Sequence, residues 1–318
     1  MSPRRVVGTV VALAAGLLCA VVYATYQRDL QNARQRITIG SRIAETSCGP
    51  VEYAIAEGRR ETILVVHGAG GGYDQGLDLA DALIRKGFRV VAVSRFGYLR
   101  TPLPREASAM AQADAFACLL DTLQIQHAVV LGASAGGPSS LQFALRYPQR
   151  VDALILLVPA AYPAAANRRS SPAQRWMLNT SLRSDFFFWL AMHLAPRTIM
   201  QAVLGTPPTV LEQASADERM RIARVLEHIL PISPRRPGLL NDAAVVGALP
   251  RYALEQIRVP TLVVSSRDDG YGTYDGSSYT AQHIAGARFV GYKSGGHMLI
   301  GHQQEVRAAI ERLLEAAR

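Results

Sequence analysis

The sequence has few of the residues that build metal sites or disulfide frameworks. Its 318 residues include only three cysteines, Cys19, Cys48 and Cys118, and no two of them stand at a metal-ligand spacing. A disulfide between Cys48 and Cys118 is allowed, but nothing in the sequence supports it. A chain of this length with 49% hydrophobic residues can bury a core that is stable without metals or disulfides. We therefore expect no metal and no cofactor.

Lysine is almost absent, although the chain carries a formal net charge of +9. Lys86 and Lys293 are the only lysines, so nearly all of the positive charge comes from arginine. The arginines are scattered along the chain, and no stripe of basic residues interleaves with aromatic ones. Nucleic-acid binding is therefore not expected, and the charge is typical of a general surface bias. The sequence gives no indication of the oligomeric state.

Charge is also absent from one long segment at the N-terminus. Residues 6–27 are mostly Val, Ala, Leu and Gly, and Arg4 and Arg5 precede them. A membrane-spanning helix needs about 20 apolar residues, whereas the apolar region of a signal peptide has about 7–15. We predict that residues 1–27 anchor the chain in a membrane, with the domain on the outer or periplasmic side. Cleavage after Val22-Tyr23-Ala24, which would release a secreted domain, is the alternative.

Short apolar runs follow, in alternation with helical patterns. The run at 62–66 is continuously apolar and rich in β-branched residues, as in a strand of a parallel sheet that is buried on both faces. Expected strands lie at 36–44, 51–57, 62–66, 89–93, 128–131, 151–158, 259–265 and 287–292. Expected helices lie at 73–86, 106–123, 134–147, 278–284 and 302–316. This alternation predicts an α/β fold with a mostly parallel, doubly wound sheet.

The alternation stops between residues 159 and 256. This stretch is rich in proline and shows helical patterns at 173–179, 185–194 and 210–230, without a convincing strand. We predict a core formed by 37–158 and 257–318, with 159–256 as a helical lid. Because ligands bind beyond the carboxyl ends of the strands in open α/β sheets, a lid there would cover the active site.

The strongest local motif is Gly132-Ala133-Ser134-Ala135-Gly136, which matches G-x-S-x-G. It stands directly after a predicted strand and directly before a predicted helix. Small residues suit a sharp strand-to-helix turn, which exposes the serine hydroxyl above the sheet. The helix also points its N-terminus towards the site, which favours developing negative charge. The motif therefore indicates Ser134 as a catalytic nucleophile.

A second motif, His67-Gly68-Ala69-Gly70-Gly71-Gly72, follows the 62–66 strand. It lacks both glycine patterns of nucleotide-binding loops. Glycines let a loop turn backbone N–H groups inward, and an oxyanion hole needs one such donor plus the N–H after the nucleophile. We predict the N–H groups of Ala69 and Ala135 in these roles, with Gly70 as the alternative first donor.

These two motifs, together with Gly295-Gly296-His297 near the C-terminus, resemble the α/β-hydrolase family from about residue 50 onwards, apart from the lid. The resemblance implies that His297 is the catalytic base, with His302 as the next candidate. It also implies an acid after the 259–265 strand, where Asp269 is favoured over Asp268. Asp275 is a more distant candidate.

The chain departs from the family pattern at three points. Ser266 and Gly270 stand where relatives commonly have glycine and proline, so the acid loop is expected to be shaped unusually. Arg95 lies where relatives often carry an aspartate and a glycine-rich turn. We interpret Arg95 as a residue that braces its loop, and contact with the site is the alternative.

The resemblance implies a serine hydrolase that cleaves an ester or related small-molecule acyl substrate through Ser134, Asp269 and His297. Carbon–carbon bond hydrolysis and acyl transfer use the same residues and stay open. A non-catalytic, membrane-tethered binding protein with the same fold is a further alternative. It would have no reason to keep the complete set of catalytic residues.

Overall fold

The computed structural model describes residues 3–162 and 182–317 of the chain. Its strands form one eight-stranded sheet in the order β1-β2-β4-β3-β5-β6-β7-β8. The strands are β1 (Arg42–Thr46), β2 (Gly49–Ala56), β3 (Arg60–Val66), β4 (Phe88–Val93), β5 (Ala128–Ala133), β6 (Val151–Leu157), β7 (Thr261–Ser266) and β8 (Arg288–Tyr292). β1 and β2 pair antiparallel, β2 also pairs antiparallel with β4, and the remaining pairs are parallel. The predicted mostly parallel sheet is therefore present.

Helices cover both faces of the sheet. One core cluster packs the sheet against α3 (Ala109–Thr122), α4 (Gly137–Arg146) and α10 (Thr273–His283). The cluster on the opposite face packs it against α2 (Tyr73–Arg85) and α11 (Gln303–Ala316). The central strands are fully buried because both of their faces are covered, which explains their uninterrupted runs of valine, isoleucine and leucine.

The predicted site residues follow the carboxyl ends of four parallel strands. β3, β5, β7 and β8 end at Val66, Ala133, Ser266 and Tyr292. A motif singled out in the sequence follows each end within five residues. Because neighbouring parallel strands end at the same edge of a sheet, the fold brings these four loops together.

Five α-helices occupy the described part of the 159–256 segment, and no strand occurs among its described residues. They are α5 (Asp185–Leu194), α6 (Pro196–Leu204), α7 (Pro208–Gln213), α8 (Ala216–Ile229) and α9 (Arg236–Gly247). α5 has its predicted bounds. The predicted helix at 210–230 is divided into α7 and α8, because Ser215 begins a new helix with a capping box to Glu218. The helical pattern at 173–179 lies outside the described residues.

A long helix, α1 (Pro3–Thr38), precedes the sheet. The strand predicted at 36–44 is therefore wrong at its start, since residues 36–38 are helical and β1 begins at Arg42. Tertiary contacts explain the difference. The Tyr73 hydroxyl lies 3.2 Å and 3.0 Å from the carbonyl oxygens of Arg36 and Ile39, and the Arg36 guanidinium donates to the carbonyl of Leu230 at 2.8 Å.

Candidate active site

The turn between β5 and α4 holds Ser134 in a strained backbone conformation. Its φ of 50° lies in the left-handed region, which costs a non-glycine residue about 1–3 kcal/mol. The neighbouring backbone is tightly packed, because a Cβ on Gly136 would lie 2.6 Å from the carbonyl oxygens of Val66 and His67. The sharp turn predicted from G-x-S-x-G is therefore present, and only glycine fits at its last position.

His297 lies between Ser134 and Asp269. Its Nε2 is 2.9 Å from the Ser134 Oγ, and its Nδ1 is 2.8 Å from the Asp269 Oδ2. Since an ionised carboxylate only accepts hydrogen bonds, Nδ1 carries the proton and Nε2 accepts from the serine hydroxyl. The loop reaches this position through Gly296, whose φ of 60° is left-handed. The structure thus joins the three predicted residues in one hydrogen-bonded chain.

Asp269 is completely buried, and its carboxylate has three donors. Besides His297, the backbone N–H of Tyr271 donates to Oδ1 at 2.7 Å and the Thr273 hydroxyl donates to Oδ2. Burial by itself raises the pKa of this carboxyl, but the electrostatic attraction of the His297 ring and the three hydrogen bonds outweigh it. The pKa of Asp269 is lowered as a result, and the group is ionised at neutral pH.

Asp268 has a different set of partners from its neighbour. It accepts hydrogen bonds from the backbone N–H groups of Gly296 at 2.9 Å and Gly295 at 3.2 Å. These bonds fix the glycines that precede His297. Of the two candidate acids, the structure places Asp269 on the imidazole and Asp268 on the backbone of the histidine loop.

Both departures in the acid loop have a structural reason. The Ser266 Oγ lies 3.0 Å from the Asp268 Oδ1 and 2.8 Å from the carbonyl oxygen of Gly296, so a hydroxyl links the two loops. The Gly270 N–H donates to the carbonyl oxygen of Gly205 at 2.6 Å, and a Cβ on Gly270 would meet that same oxygen at 2.6 Å. Proline at 270 would lack the donor and add bulk, so it does not fit here.

The remaining candidates for base and acid lie elsewhere. The His302 imidazole bonds to Glu305 and to the carbonyl oxygen of Ser294, and it stacks on Tyr292 with ring centroids 3.7 Å apart. Asp275 lies in the first turn of α10. The structure therefore joins neither His302 nor Asp275 to Ser134.

The glycine-rich loop after β3 passes beside Ser134. A Cβ on Gly68 would lie 3.1 Å from the Cβ of Ser134. The Gly70 N–H donates to the Tyr98 hydroxyl at 3.2 Å, so this alternative oxyanion donor is already engaged. Ala69 is therefore the better candidate for the oxyanion donor in this loop. The second predicted donor is Ala135, directly after Ser134. The roles of both alanines remain predictions.

A buried polar network supports that loop from below. Arg95 donates through Nε to the carbonyl oxygen of His67 at 2.9 Å, and it forms a bidentate ion pair with Asp242 at 2.6 and 2.7 Å. The Tyr98 hydroxyl also donates to Asp242. Burial, together with the neighbouring Arg95 charge, holds the pKa of His67 well below its usual range, so His67 is neutral. Arg95 therefore braces its loop, as we interpreted it.

Tyr98 and Asp242 were not identified from the sequence. Asp242 lies on α9 in the predicted lid, 147 residues from Arg95. No local motif marks such a partner. The sequence offers one signal, which is that Asp242 has no basic residue three or four positions later on its helix. This indicates that its partner lies elsewhere but does not identify the partner.

The segment between α6 and α7 was also missed, and it contacts the loops that carry Asp269 and His297. The Gly205 carbonyl oxygen accepts from the N–H groups of Gly270 at 2.6 Å and His297 at 3.3 Å. The Thr206 hydroxyl accepts from the N–H of Met298 at 3.3 Å. The predicted lid therefore helps to hold His297 in place.

Known proteins resemble this chain over most of its length. A family model described as alpha/beta hydrolase fold matches residues 61–301. The uncharacterized hydrolase YcgS of Bacillus subtilis (strain 168) is 28% identical over 266 residues, which are 79% of this chain and 89% of that protein. A 2-hydroxy-6-oxononadienedioate/2-hydroxy-6-oxononatrienedioate hydrolase of Paraburkholderia phymatum is 32% identical over 230 residues, 71% of this chain and 76% of that protein.

Solved structures give the same result. An alpha/beta hydrolase fold protein from Nakamurella multipartita superposes with a TM-score of 0.74 at 28% identity, covering 88% of this chain and 100% of that one. Since the family model spans well over half of the sequence, the predicted fold and resemblance are confirmed, and the chain belongs to the α/β-hydrolase family.

Proposed function

We propose that the protein is a serine hydrolase with Ser134 as nucleophile, His297 as general base and Asp269 as the acid that orients it. The observation that carries the proposal is the hydrogen-bonded chain from Ser134 Oγ through His297 to Asp269, at 2.9 and 2.8 Å. Both distances lie within the range that proton transfer requires. The hydrolase class itself agrees with the family and with the relatives' names.

The reaction begins when Ser134 Oγ attacks the carbonyl carbon of an ester while His297 Nε2 takes its proton. The N–H groups of Ala69 and Ala135 hold the negative charge that develops on the carbonyl oxygen. His297 then gives the proton to the leaving alcohol as the carbon–oxygen bond breaks. Water, deprotonated by the same imidazole, attacks the acyl-enzyme and releases the acid and Ser134.

Asp269 supports two features of this cycle. Its carboxylate fixes the Nδ1–H tautomer of His297, which leaves Nε2 free to accept the serine proton. Because its pKa is lowered, it carries a negative charge at neutral pH and stabilises the imidazolium that forms during attack.

Carbon–carbon bond hydrolysis is the second candidate reaction. It is favoured by relatives named as hydrolases of 2-hydroxy-6-oxo dienoates, at 26% and 32% identity. Such a reaction would use the same nucleophile and base but release a carbon leaving group. Parallel assays with simple esters and with a 2-hydroxy-6-oxo dienoate separate the two reactions.

A fluorophosphonate probe tests the nucleophile directly, because it reacts with serines activated by a neighbouring base. We expect stoichiometric labelling of the folded chain, with the modified peptide carrying Ser134. Labelling should be lost in Ser134→Ala and kept in Ser294→Ala, whose serine is exposed beside the histidine loop. Folded protein that stays unlabelled would refute the proposal and favour the non-catalytic alternative.

We propose further that α1 anchors the chain in a membrane. The helix continues without a break through the alternative cleavage site at 22–24, and Val22 and Tyr26 pack against the predicted lid. The sulfurs of Cys48 and Cys118 are joined in a disulfide, a pairing that the sequence alone allows but does not support. Disulfides persist in oxidising compartments, so this pairing favours a domain on the outer or periplasmic side.

Flotation with liposomes tests the anchor. We expect the full chain to float with the lipid, and Leu13→Arg combined with Leu17→Arg to stay in the aqueous fraction. Each arginine near the centre of a span costs about 2.5–3.5 kcal/mol. Leu13 and Leu17 are 69% and 68% exposed, so the substitutions remove no core packing. Equal flotation of both proteins would argue against an anchoring role for this segment.

A further inference from the structure

The helix that we propose as the anchor is packed directly on the first described helix of the lid. The Tyr26 ring lies 5.1 Å from Phe186 and 5.6 Å from Trp189, centroid to centroid. The Trp189 indole N–H donates to the Asp29 carboxylate at 3.0 Å. Leu30 on α1 is buried in the same cluster. Helix α5 of the predicted lid is thus attached to α1 at the end of its apolar stretch.

These contacts also give the level of α5 along α1. Asp185, at its start, lies 3.9 Å from Arg34, Phe186 lies beside Tyr26, and Trp189 lies beside Tyr26 and Asp29. The first half of α5 therefore lies beside residues 26–34 of α1, where the apolar segment ends.

The length of the apolar part of α1 shows where α5 lies relative to a bilayer. The uncharged residues 6–27 span about 33 Å as a helix, close to the hydrocarbon thickness of about 30 Å. Tyr23 and Tyr26 therefore lie near the interface, where aromatic side chains are favoured. Because Phe186 and Trp189 both contact Tyr26, α5 lies at the level of the same interface.

The exposed side chains of α5 suit a lipid interface. Phe187 and Leu194 are 47% and 76% exposed, and the half-buried Leu190 and Ala191, which also pack on the cluster around Leu30, lie between them on one helical stripe. Arg197, one turn later on α6, has a side chain that is 83% exposed and lies 3.8 Å from the Glu212 carboxylate. Exposed apolar side chains beside an exposed ion pair fit acyl chains and the polar headgroup region.

The same corner is one helix away from the catalytic loops. α6 runs from Pro196 to Leu204 and is followed by Gly205, whose carbonyl oxygen accepts from the N–H groups of His297 and Gly270. The surface that reaches the lipid is therefore joined by a single nine-residue helix to the residues that hold the imidazole.

From this arrangement we propose that residues 187–197, the α5–α6 corner, insert into the interface of the membrane that holds α1. The site would then take its substrate, an ester with a long acyl chain, from the lipid phase. The proposal rests on the hydrolase activity and the anchor proposed above, and it adds the bilayer as the partner of the lid.

An environment-sensitive fluorophore tests the insertion in the full chain in liposomes. It is placed on Leu194→Cys, with Cys19→Ser to remove the free thiol, because Cys48 and Cys118 are bonded to each other. We expect blue-shifted emission and strong quenching by nitroxide lipids. The same label on Met110→Cys, which is 50% exposed on α3, should show neither effect. Equal emission from the two labels would overturn the proposal.

A kinetic arm tests the substrate class. Leu194→Glu should lower kcat/KM about tenfold or more for a long-chain ester dissolved in liposomes, because insertion of a leucine is worth about 1.5–3 kcal/mol. Leu194→Glu should not change the turnover of a water-soluble short ester, and it should not change flotation. Met110→Glu should change neither of these nor the kcat/KM for the ester in liposomes. If the unsubstituted protein does not hydrolyse the short ester, the proposed hydrolase activity is refuted. If it does not float with liposomes, the proposed membrane anchor is refuted. An equal response of Leu194→Glu and Met110→Glu to liposome substrate refutes only the insertion.

Discussion

Ser134→Ala is expected to lower kcat for an ester by about 10⁵–10⁶-fold, with little change in the free energy of unfolding. The substitution removes the only atom that forms the acyl bond, while the Cβ that packs near Gly68 stays in place. Residual turnover should come from substrate binding and the oxyanion donors alone. Burst kinetics and chemical denaturation of the two proteins measure both quantities.

His297→Ala supplies the control for this prediction. If Ser134 and His297 act as one unit, each single substitution should cost about as much as the double substitution, because neither residue catalyses without the other. If the losses in activation free energy of the two single variants add up in the double variant, the assignment is contradicted. Ser294→Ala should leave kcat within about twofold, as expected for an exposed serine outside such networks.

The parts of the site that the sequence predicts are those that depend on local backbone geometry. G-x-S-x-G specifies a sharp turn because bulk near Gly136 would collide with the carbonyl oxygens of Val66 and His67. Likewise, the continuous valine and isoleucine runs predict a two-sided sheet whose strand ends converge. The turn at Ser134 is therefore predicted from the local sequence, whereas His297 and the acid loop are predicted from the resemblance to the α/β-hydrolase family.

The parts that were missed depend on contacts between distant segments. Arg95 meets Asp242 across 147 residues, and Gly205, within the predicted lid, meets Gly270 and His297 without a local motif that marks the contact. α1 also continues past Arg36 because Tyr73 of α2 and the carbonyl oxygen of Glu227 in α8 bind its end. Neither periodicity nor a short motif contains such information, because each describes only neighbours along the chain.

The choice between Asp268 and Asp269 depends both on the local sequence and on contacts between distant segments. The residues are adjacent, so no spacing rule separates them with certainty. In the structure the Gly270–Gly205 bond and the Ser266 hydroxyl shape the loop. They turn Asp269 towards the imidazole and Asp268 towards the backbone of the histidine loop. The two aspartates therefore predict two different kinetic effects.

Asp269→Asn is expected to lower kcat by about 10⁴-fold. The asparagine amide can donate to Nδ1 of His297, which would favour the tautomer with its proton on Nε2, and that nitrogen could then no longer accept from Ser134. Asp268→Asn keeps one acceptor oxygen for Gly295 or Gly296 and loses the other. Its expected cost is about tenfold, the worth of roughly one hydrogen bond of 1–1.5 kcal/mol. Rate constants in which Asp268→Asn is the more damaged variant would reverse the assignment.

The pH dependence of stability distinguishes the same two aspartates by a second measurement. The folded pKa of Asp269 is lowered, so its carboxylate stabilises the fold above the ordinary aspartate pKa of about 3.9, and this contribution is lost as pH falls through the folded value. The difference in unfolding free energy between the parent and Asp269→Asn should therefore be constant near neutrality and shrink below about pH 4. A difference that stays constant down to pH 2 would mean that Asp269 is not held as the ionised partner of His297. That result would contradict its role even if the kinetic loss were large.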